Sequence, residues 1–390
     1  MSAAAASAVS EPERDRTYLQ ARVTRPLAVA TFERAQPSFA RALESFRARF
    51  ADRYSAWDGA LGADALTAIA TLMPEEAPTS ATALELYAIC PQRFMLERLL
   101  RIRAVEEPEQ VVRIDALSKG SVIHRIFERF YDEWAGKGPA PLAPEAERRM
   151  RQIAGEECDA ARDRGETGYP AMWEADRVEL IEDCIRWLDY EREDELTRTL
   201  PLVAVEARFG ERRSGEKQGS LSQPEPIAVD LPSGPLRLHG RIDRVNWDEQ
   251  RTRFRVIDYK TGKKYAEKPA ELQGGRALQL PLYVLAAANL LGIAPRGGAA
   301  AYVYPTRRGG FHVVDWTPED FAERQADVVS LLDAIVTSAR AGDFIIAPSD
   351  GACQYCTFKD VCPGSRGGYA ERKEGDDRLG RLATQIRSVP

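Results

Sequence analysis

Leu238-His239-Gly240-Arg241-Ile242-Asp243-Arg244, followed after a short connection by Phe254-Arg255-Val256-Ile257-Asp258-Tyr259-Lys260-Thr261-Gly262, decides how this chain reads. Apolar and β-branched residues dominate both runs, and Asp248-Glu249-Gln250 supplies a polar connection, so the pair predicts a β-hairpin. A strand rises roughly 3.3 Å per residue with alternating side chains, which puts Asp258 and Lys260 on one face, roughly 7 Å apart, and Ile257 and Tyr259 on the other. Asp243 on the neighbouring arm adds a second carboxylate. Two such groups can hold a hard divalent cation, and the ammonium beside them can orient a water or steady a phosphate oxygen. An Asp–Lys pair on an exposed edge strand is the structural alternative.

The chain has 390 residues, room for one large or two modest domains. Hydrophobic residues make up 44% and charged residues 29%, an ordinary globular composition. A formal net charge of -6 argues against a surface coated for non-specific nucleic-acid binding. It leaves room for a local basic channel, because active-site carboxylates lower the sum. No apolar run approaches the roughly 20 residues that span a bilayer. The start, Met1 to Ser10, is alanine-rich without the basic-then-apolar layout of a secretory signal. The six cysteines are clustered rather than spread, as in a cytoplasmic metal site and unlike a disulfide scaffold. A cytoplasmic location without membrane association is expected.

Working upstream from the hairpin, residues 202–209 alternate like a strand with Glu206 in the middle, and the polar run 210–224 reads as a loop. Residues 118–134 predict an amphipathic helix with Ile123, Ile126, Phe127, Phe130 and Trp134 as its stripe. His124 lies one step off that stripe, behind Gly120-Ser121, where a histidine suits packing as readily as ligation. Two further helices are predicted around 144–164 and 174–196, with Cys158 and Cys184 as buried thiols. Residues 83–100 read as helix interrupted at Cys90-Pro91, because proline removes a backbone donor and disfavours helix at the residue before it. Residues 1–31 look poorly ordered, and Phe39, Leu43, Phe46 and Phe50 mark a helix before the linker at 73–78.

Downstream, a helix over 271–291 carries Gln279 and Tyr283 four apart on one face. Strands are expected at 299–304 and 311–314, then a helix over 318–340. Lys263, Lys264, Arg307 and Arg308 are candidates for phosphate contact, or simply a solvated charged surface.

Cys353-Gln354-Tyr355-Cys356, then Cys362-Pro363, place three thiolates around one centre. Cys90 is the candidate fourth, because it lies at a helix break and is the remaining cysteine outside a helical run. Four thiolates suit either zinc or an iron–sulfur cluster, and the spacing does not choose between them. A zinc knuckle completed by a nearer ligand such as Asp360 is a third arrangement.

Taken together, Gly240 to Arg244, Asp258 to Gly262, Gln279-Leu280-Pro281-Leu282-Tyr283, His124 behind its Gly-Ser pair and the split cysteines resemble the PD-(D/E)xK nuclease superfamily. The likeness is to its RecB-like exonuclease branch, closest to the C-terminal nuclease domain of AddB-type helicase–nuclease subunits, with a layout shared by CRISPR-associated iron–sulfur exonucleases. It covers residues 80–364. It implies a restriction-endonuclease-like α/β core: a small mixed central sheet flanked by helices, extra N-terminal helices and a C-terminal Fe–S loop. It also implies an N-terminal extension at 1–78, a nuclease domain at 79–366 and a polar tail at 367–390.

The resemblance implies roles as well. His124, Asp243 and Asp258 would ligate Mg²⁺ or Mn²⁺, with the backbone carbonyl of Tyr259. Glu206 would reach the metal directly or through water, and Lys260 would position and activate the nucleophilic water. Gln279 and Tyr283 would hold the DNA backbone or the lysine. Cys90, Cys353, Cys356 and Cys362 would hold a 4Fe–4S cluster, which favours iron–sulfur over zinc. The superfamily's glutamate two before the lysine is Asp258 here, a choice frequent in the RecB-like branch. AddB subunits carry a long helicase-like region before the nuclease, whereas about eighty residues precede it here. The expected activity is exonucleolytic hydrolysis of DNA at ends or single strands in recombination and repair, with a superfamily I, AddA-like helicase as partner. The rival expectation is a non-catalytic DNA-end-binding or assembly module that docks a helicase.

Overall fold

A computed structural model describes residues 26–103, 112–135, 140–211, 221–263, 270–362 and 366–390. Among these, the longer helices are α1 (Pro26–Ala35), α2 (Pro37–Phe50), α3 (Ala63–Leu72), α4 (Ala81–Ile89), α5 (Ala116–Trp134), α6 (Ala146–Asp163), α7 (Pro170–Glu193), α8 (Gln279–Leu291) and α9 (Pro318–Arg340). The strands are β1 (Leu202–Phe209), β2 (Ile227–Leu231), β3 (Gly234–Leu238), β4 (Gly240–Trp247), β5 (Phe254–Tyr259), β6 (Gly298–Val303) and β7 (Val313–Trp316). No described helix is long and apolar enough to cross a membrane.

The predicted hairpin is β4 and β5, paired antiparallel with Val245 opposite Val256 and Trp247 opposite Phe254. Its connection closes on Asp248, whose carboxylate accepts the N–H groups of Thr252 at 2.7 Å and Arg253 at 3.0 Å. The hairpin is the centre of a five-stranded mixed sheet in the order β1-β4-β5-β6-β7. Only β5 and β6 run parallel. Parallel neighbours need a crossover, and α8 provides it.

Each face of the sheet is covered. Val245, Val256 and Ala300 bury against α4, α8 and α9, whereas Val203, Ile257 and Tyr259 bury against α5, α6 and α7. Helix α5 starts where Asp115 accepts the N–H groups of Leu117 and Ser118, at 2.8 and 3.0 Å. Its expected stripe is buried. A β-carbon at Gly120 would lie 3.0 Å from Thr261 Oγ1, so a small residue there lets α5 approach the end of β5.

Several elements depart from expectation. The first hairpin arm breaks at His239, and Leu238 belongs to β3, which pairs with β2 in a separate two-stranded sheet. The crossover helix begins at Gln279 rather than 271, because Gly274 and Gly275 have φ of 62° and 82° and interrupt helical geometry. The strand expected at 311–314 is shifted to Val313–Trp316, and Phe311 has a φ of 54°. Within the stretch expected as a polar tail, Tyr369, Leu382 and Ile386 are apolar anchors that bury it against the domain. Buried Lys373 donates to the carbonyls of Ala48, Ala51 and Arg53 and pairs with Asp58 at 3.4 Å. The expectations on residues 1–25, Lys264, Pro363 and most of the 210–224 loop lie outside the described residues.

Candidate active site

The largest cleft, about 1030 Å³, opens where β5 and β6 end and the first turns of α5 and α8 converge. Its wall carries Arg125, Arg208, Arg241, Lys263 and Arg276, with Lys260 and the carboxylates of Glu85, Glu128 and Glu206 among them.

Strand register assembles the acids. Glu206 lies opposite Asp243, between the paired Val205–Arg244 and Ala207–Ile242. One step beyond the paired Arg244 and Ile257, Asp243 meets Asp258. Glu206, Asp243 and Asp258 thus form one row across three adjacent strands. Glu206 itself has a φ of 50°, a left-handed conformation that costs a non-glycine residue of order 1–3 kcal/mol. The kink changes which β1 side chains enter each core: Ala204 shares a core with Ala207 and Phe209, although simple alternation would separate them. The Oε2 atom of Glu206 lies 2.8 Å from Arg241 Nε.

His124 reaches this row from α5. Its Nε2 is 3.1 Å from the Tyr259 carbonyl and its Nδ1 is 3.4 Å from Asp243 Oδ1. The other oxygen of Asp243 accepts the Tyr259 N–H at 2.9 Å. One ligand atom each from His124, Glu206 and Asp243 lie within 4.8 Å of one another, a compact set that fits a divalent cation. The Asp258 carboxylate stands apart from that set, paired with Lys260 Nζ at 2.5 Å. Beyond these ion pairs, Glu206 Oε2 and Asp258 Oδ2 are buried without a well-aligned hydrogen-bond donor. A hard cation suits such acceptors.

Burial and charge push these groups in opposite directions. Burial raises Glu206 to about 7 against the pull of Arg241. Burial likewise raises Asp258, opposed by Lys260. Burial also opposes charge on Asp243, but the hydrogen bond and charge of His124, with the Tyr259 N–H, hold it below the usual carboxylate range. Lys260 is raised despite its burial because of Asp258, and so stays an ammonium at neutral pH.

Lys260 Nζ donates to Gln279 Oε1 at 2.6 Å and sits 5.1 Å from the Tyr302 ring centre. Tyr283, one turn further along α8, is close enough to Asp258 and Asp243 that burial and these carboxylates push its hydroxyl pKa up. The structure therefore gathers His124, Glu206, Asp243, Asp258, Tyr259, Lys260, Gln279 and Tyr283 at one place. Arg307 is committed elsewhere, to Glu182 and, at 3.3 Å, to Asp183. Arg308 is exposed, and Lys263 lines the cleft.

Sequence reading missed Glu85, Arg241 and Arg276. Glu85 carried one visible signal, an acid between Leu84 and Leu86 in an otherwise apolar helix.

Cys90, Cys353, Cys356 and Cys362 line a second, small cavity with Ile346 and Phe358, and all four are free thiols. Burial, with Cys362 and Cys356 nearby, pushes the Cys90 thiol up to about 11. Four thiolates around one apolar cavity fit a metal centre. Cys158 and Cys184 are buried in α6 and α7, away from it.

Residues 78–363 match the family described as the PD-(D/E)XK nuclease superfamily. One of the two chains of an ATP-dependent helicase/deoxyribonuclease from Symbiobacterium thermophilum is 33% identical over 216 residues, covering 53% of this chain and 17% of that protein. The protein of the same description from Acetivibrio thermocellus is 26% identical over 239 residues, covering 55% of this chain and 18% of that protein. The chain spans less than a fifth of the length of either relative.

Proposed function

The chain belongs to the PD-(D/E)XK nuclease superfamily, and from that premise we propose that it is a divalent-metal-dependent deoxyribonuclease of the RecB/AddB type. It hydrolyses phosphodiester bonds at DNA ends or single strands in recombination and repair. The observation that carries this reading is the row Glu206–Asp243–Asp258, with Lys260 at its end and His124 above it, on the floor of an open cleft walled by arginines.

His124, Glu206 and Asp243 would hold Mg²⁺ or Mn²⁺, with Asp258 and the Tyr259 carbonyl beside them. The ion, when bound, supplies Lewis-acid polarisation of the scissile phosphate and acidification of a water. Lys260, protonated at neutral pH and aimed by Asp258 and Gln279, donates a hydrogen bond to the attacking water or a phosphate oxygen. Tyr283 supports that placement from α8. Arg125, Arg241 and Arg276 grip the backbone through charge without reading sequence. Cys90, Cys353, Cys356 and Cys362 would hold a 4Fe–4S cluster as a staple between the start and the end of the domain. The names of the two relatives support a helicase as partner, and a role in DNA repair goes with a cytoplasmic location.

The test is incubation of anaerobically purified protein with end-labelled single-stranded DNA, duplex DNA and RNA of one sequence, with Mg²⁺, Mn²⁺ or chelator. Metal-dependent shortening of DNA is expected. Intact DNA in every metal-containing arm overturns the reading, and cleavage of RNA alone overturns its substrate.

A further inference from the structure

Glu85 reaches the cleft from α4. Its Oε1 accepts the N–H of Leu278 at 2.8 Å and that of Gln279 at 3.0 Å. The first N–H groups of a helix lack partners within it, and Leu278, just before α8, offers no capping side chain. The first turn of α8 is therefore tied by a carboxylate 193 positions upstream. A short polar residue at 278 could cap the helix at less cost, since burial pushes Glu85 up to about 7 against the pull of the two N–H groups and Lys260.

The capped residue matters. Gln279 Oε1 accepts from Lys260 Nζ at 2.6 Å, and that ammonium is 2.5 Å from Asp258. An unbroken path runs from Glu85 through the Gln279 backbone and side chain to Lys260. We propose that Glu85 is a positioning residue, fixing the first turn of α8 so that Gln279 holds Lys260 against Asp258 and toward the cleft. This rests on the reading of Lys260 as the reactive ammonium. Helix α4 also extends the path the other way. It ends at Cys90, whose thiol lines the cysteine cavity, and the Ile89 carbonyl accepts the Ser349 N–H at 2.8 Å. Loss of order around the thiols therefore reaches Lys260 through Glu85.

Glu85→Ala, Glu85→Asp and Glu85→Gln in the full chain test this with two readouts. These are steady-state cleavage of single-stranded DNA with Mn²⁺, and amide hydrogen exchange resolved to Leu278 and Gln279. Glu85→Ala is expected to lower kcat about tenfold with little change in KM, and to speed exchange at both amides about tenfold. Glu85→Asp keeps the charge but withdraws the acceptor, so it should follow Ala. Glu85→Gln keeps an acceptor oxygen and should stay within about threefold of the parent. Unchanged kcat and exchange in both Ala and Asp variants overturn the proposal, and so does a Gln variant as slow as Ala, which would mean the carboxyl itself acts. If the parent cuts no nucleic acid, it is the reading of Lys260 that has failed. The exchange arm then still decides: faster exchange in Glu85→Asp upholds the tie to α8, and unchanged exchange removes it.

Discussion

Asp243 accepts the backbone N–H of Tyr259 at 2.9 Å, so a carboxylate of β4 is clamped to the strand that carries Asp258. The carbonyl of the same residue faces His124 at 3.1 Å. One residue of β5 thus sets the position of both an acid and the histidine, and a change in either should be felt in metal affinity before it is felt in folding.

Asp243→Asn keeps the shape of the side chain and loses the charge that a hard cation needs. Titration of Mn²⁺ by calorimetry should show affinity lowered at least about tenfold, with cleavage lost in parallel. Equal affinity in the two proteins would remove Asp243 from the metal site.

Beneath the site, Arg244 is fully buried, pairs with Glu191, donates to Asn246 Oδ1 at 2.7 Å and lies 3.8 Å over the Tyr131 ring. It also donates to the Tyr259 hydroxyl at 3.3 Å. Arg244→Met strands the Glu191 charge in the core and should cost about 3–5 kcal/mol in urea denaturation. Arg244→Met with Glu191→Leu should recover most of it, because no unpaired charge remains. A double variant as unstable as the single one would show that packing, not the stranded charge, sets the cost.

The central row of acids was legible because strand alternation is a two-residue rule that survives without knowledge of neighbours. It places Asp258 and Lys260, and the hairpin places Asp243. Cys90 was legible for a different reason, since Pro91 marks a helix break. Other features depend on contacts far apart in sequence. The kink at Glu206 leaves no mark in a run that alternates normally, and it appears only as a φ of 50° opposite Asp243. The start of α8 was misread because the left-handed glycines at 274 and 275 are set by packing against Arg387 and Ala88. Residues 366–390 looked polar because Tyr369, Leu382 and Ile386 are scattered among charges, and only the folded chain shows them sharing one core.

Stability should depend on pH through Glu85. Its folded pKa of about 7 exceeds the ordinary 4.5, so between these values the folded chain keeps a proton the unfolded chain has released. Stability therefore falls as pH rises through that window. Glu85→Gln removes this titration and should gain on the parent by up to about 3 kcal/mol between pH 4.5 and 7.5, read from urea midpoints. Parallel profiles for the two proteins would contradict the assigned environment of Glu85.

Anaerobically purified protein should be brown, with roughly four irons per chain, as a four-thiolate cubane requires. Cys356→Ala should lose the colour and become protease-sensitive near residues 83–100 and after 347, the two segments whose cysteines share the cavity. Cys158→Ala and Cys184→Ala should keep the colour, since both thiols are buried in helices elsewhere. A colourless protein with one zinc would keep the staple and change its identity, and colour retained in Cys90→Ala would overturn the four-ligand set.

The most direct measurement compares the parent with Lys260→Ala on end-labelled single-stranded and duplex DNA in Mn²⁺, alongside DNA affinity measured with Ca²⁺ in its place. Lys260 lies at the end of the acid row, 2.5 Å from Asp258, and outside both cores. A group that acts in the transition state lowers turnover far more than ground-state binding when removed. The account predicts cleavage lowered at least about a thousandfold with DNA affinity within about threefold of the parent. A Lys260→Ala protein that cuts DNA at close to the parental rate would contradict the assigned active site.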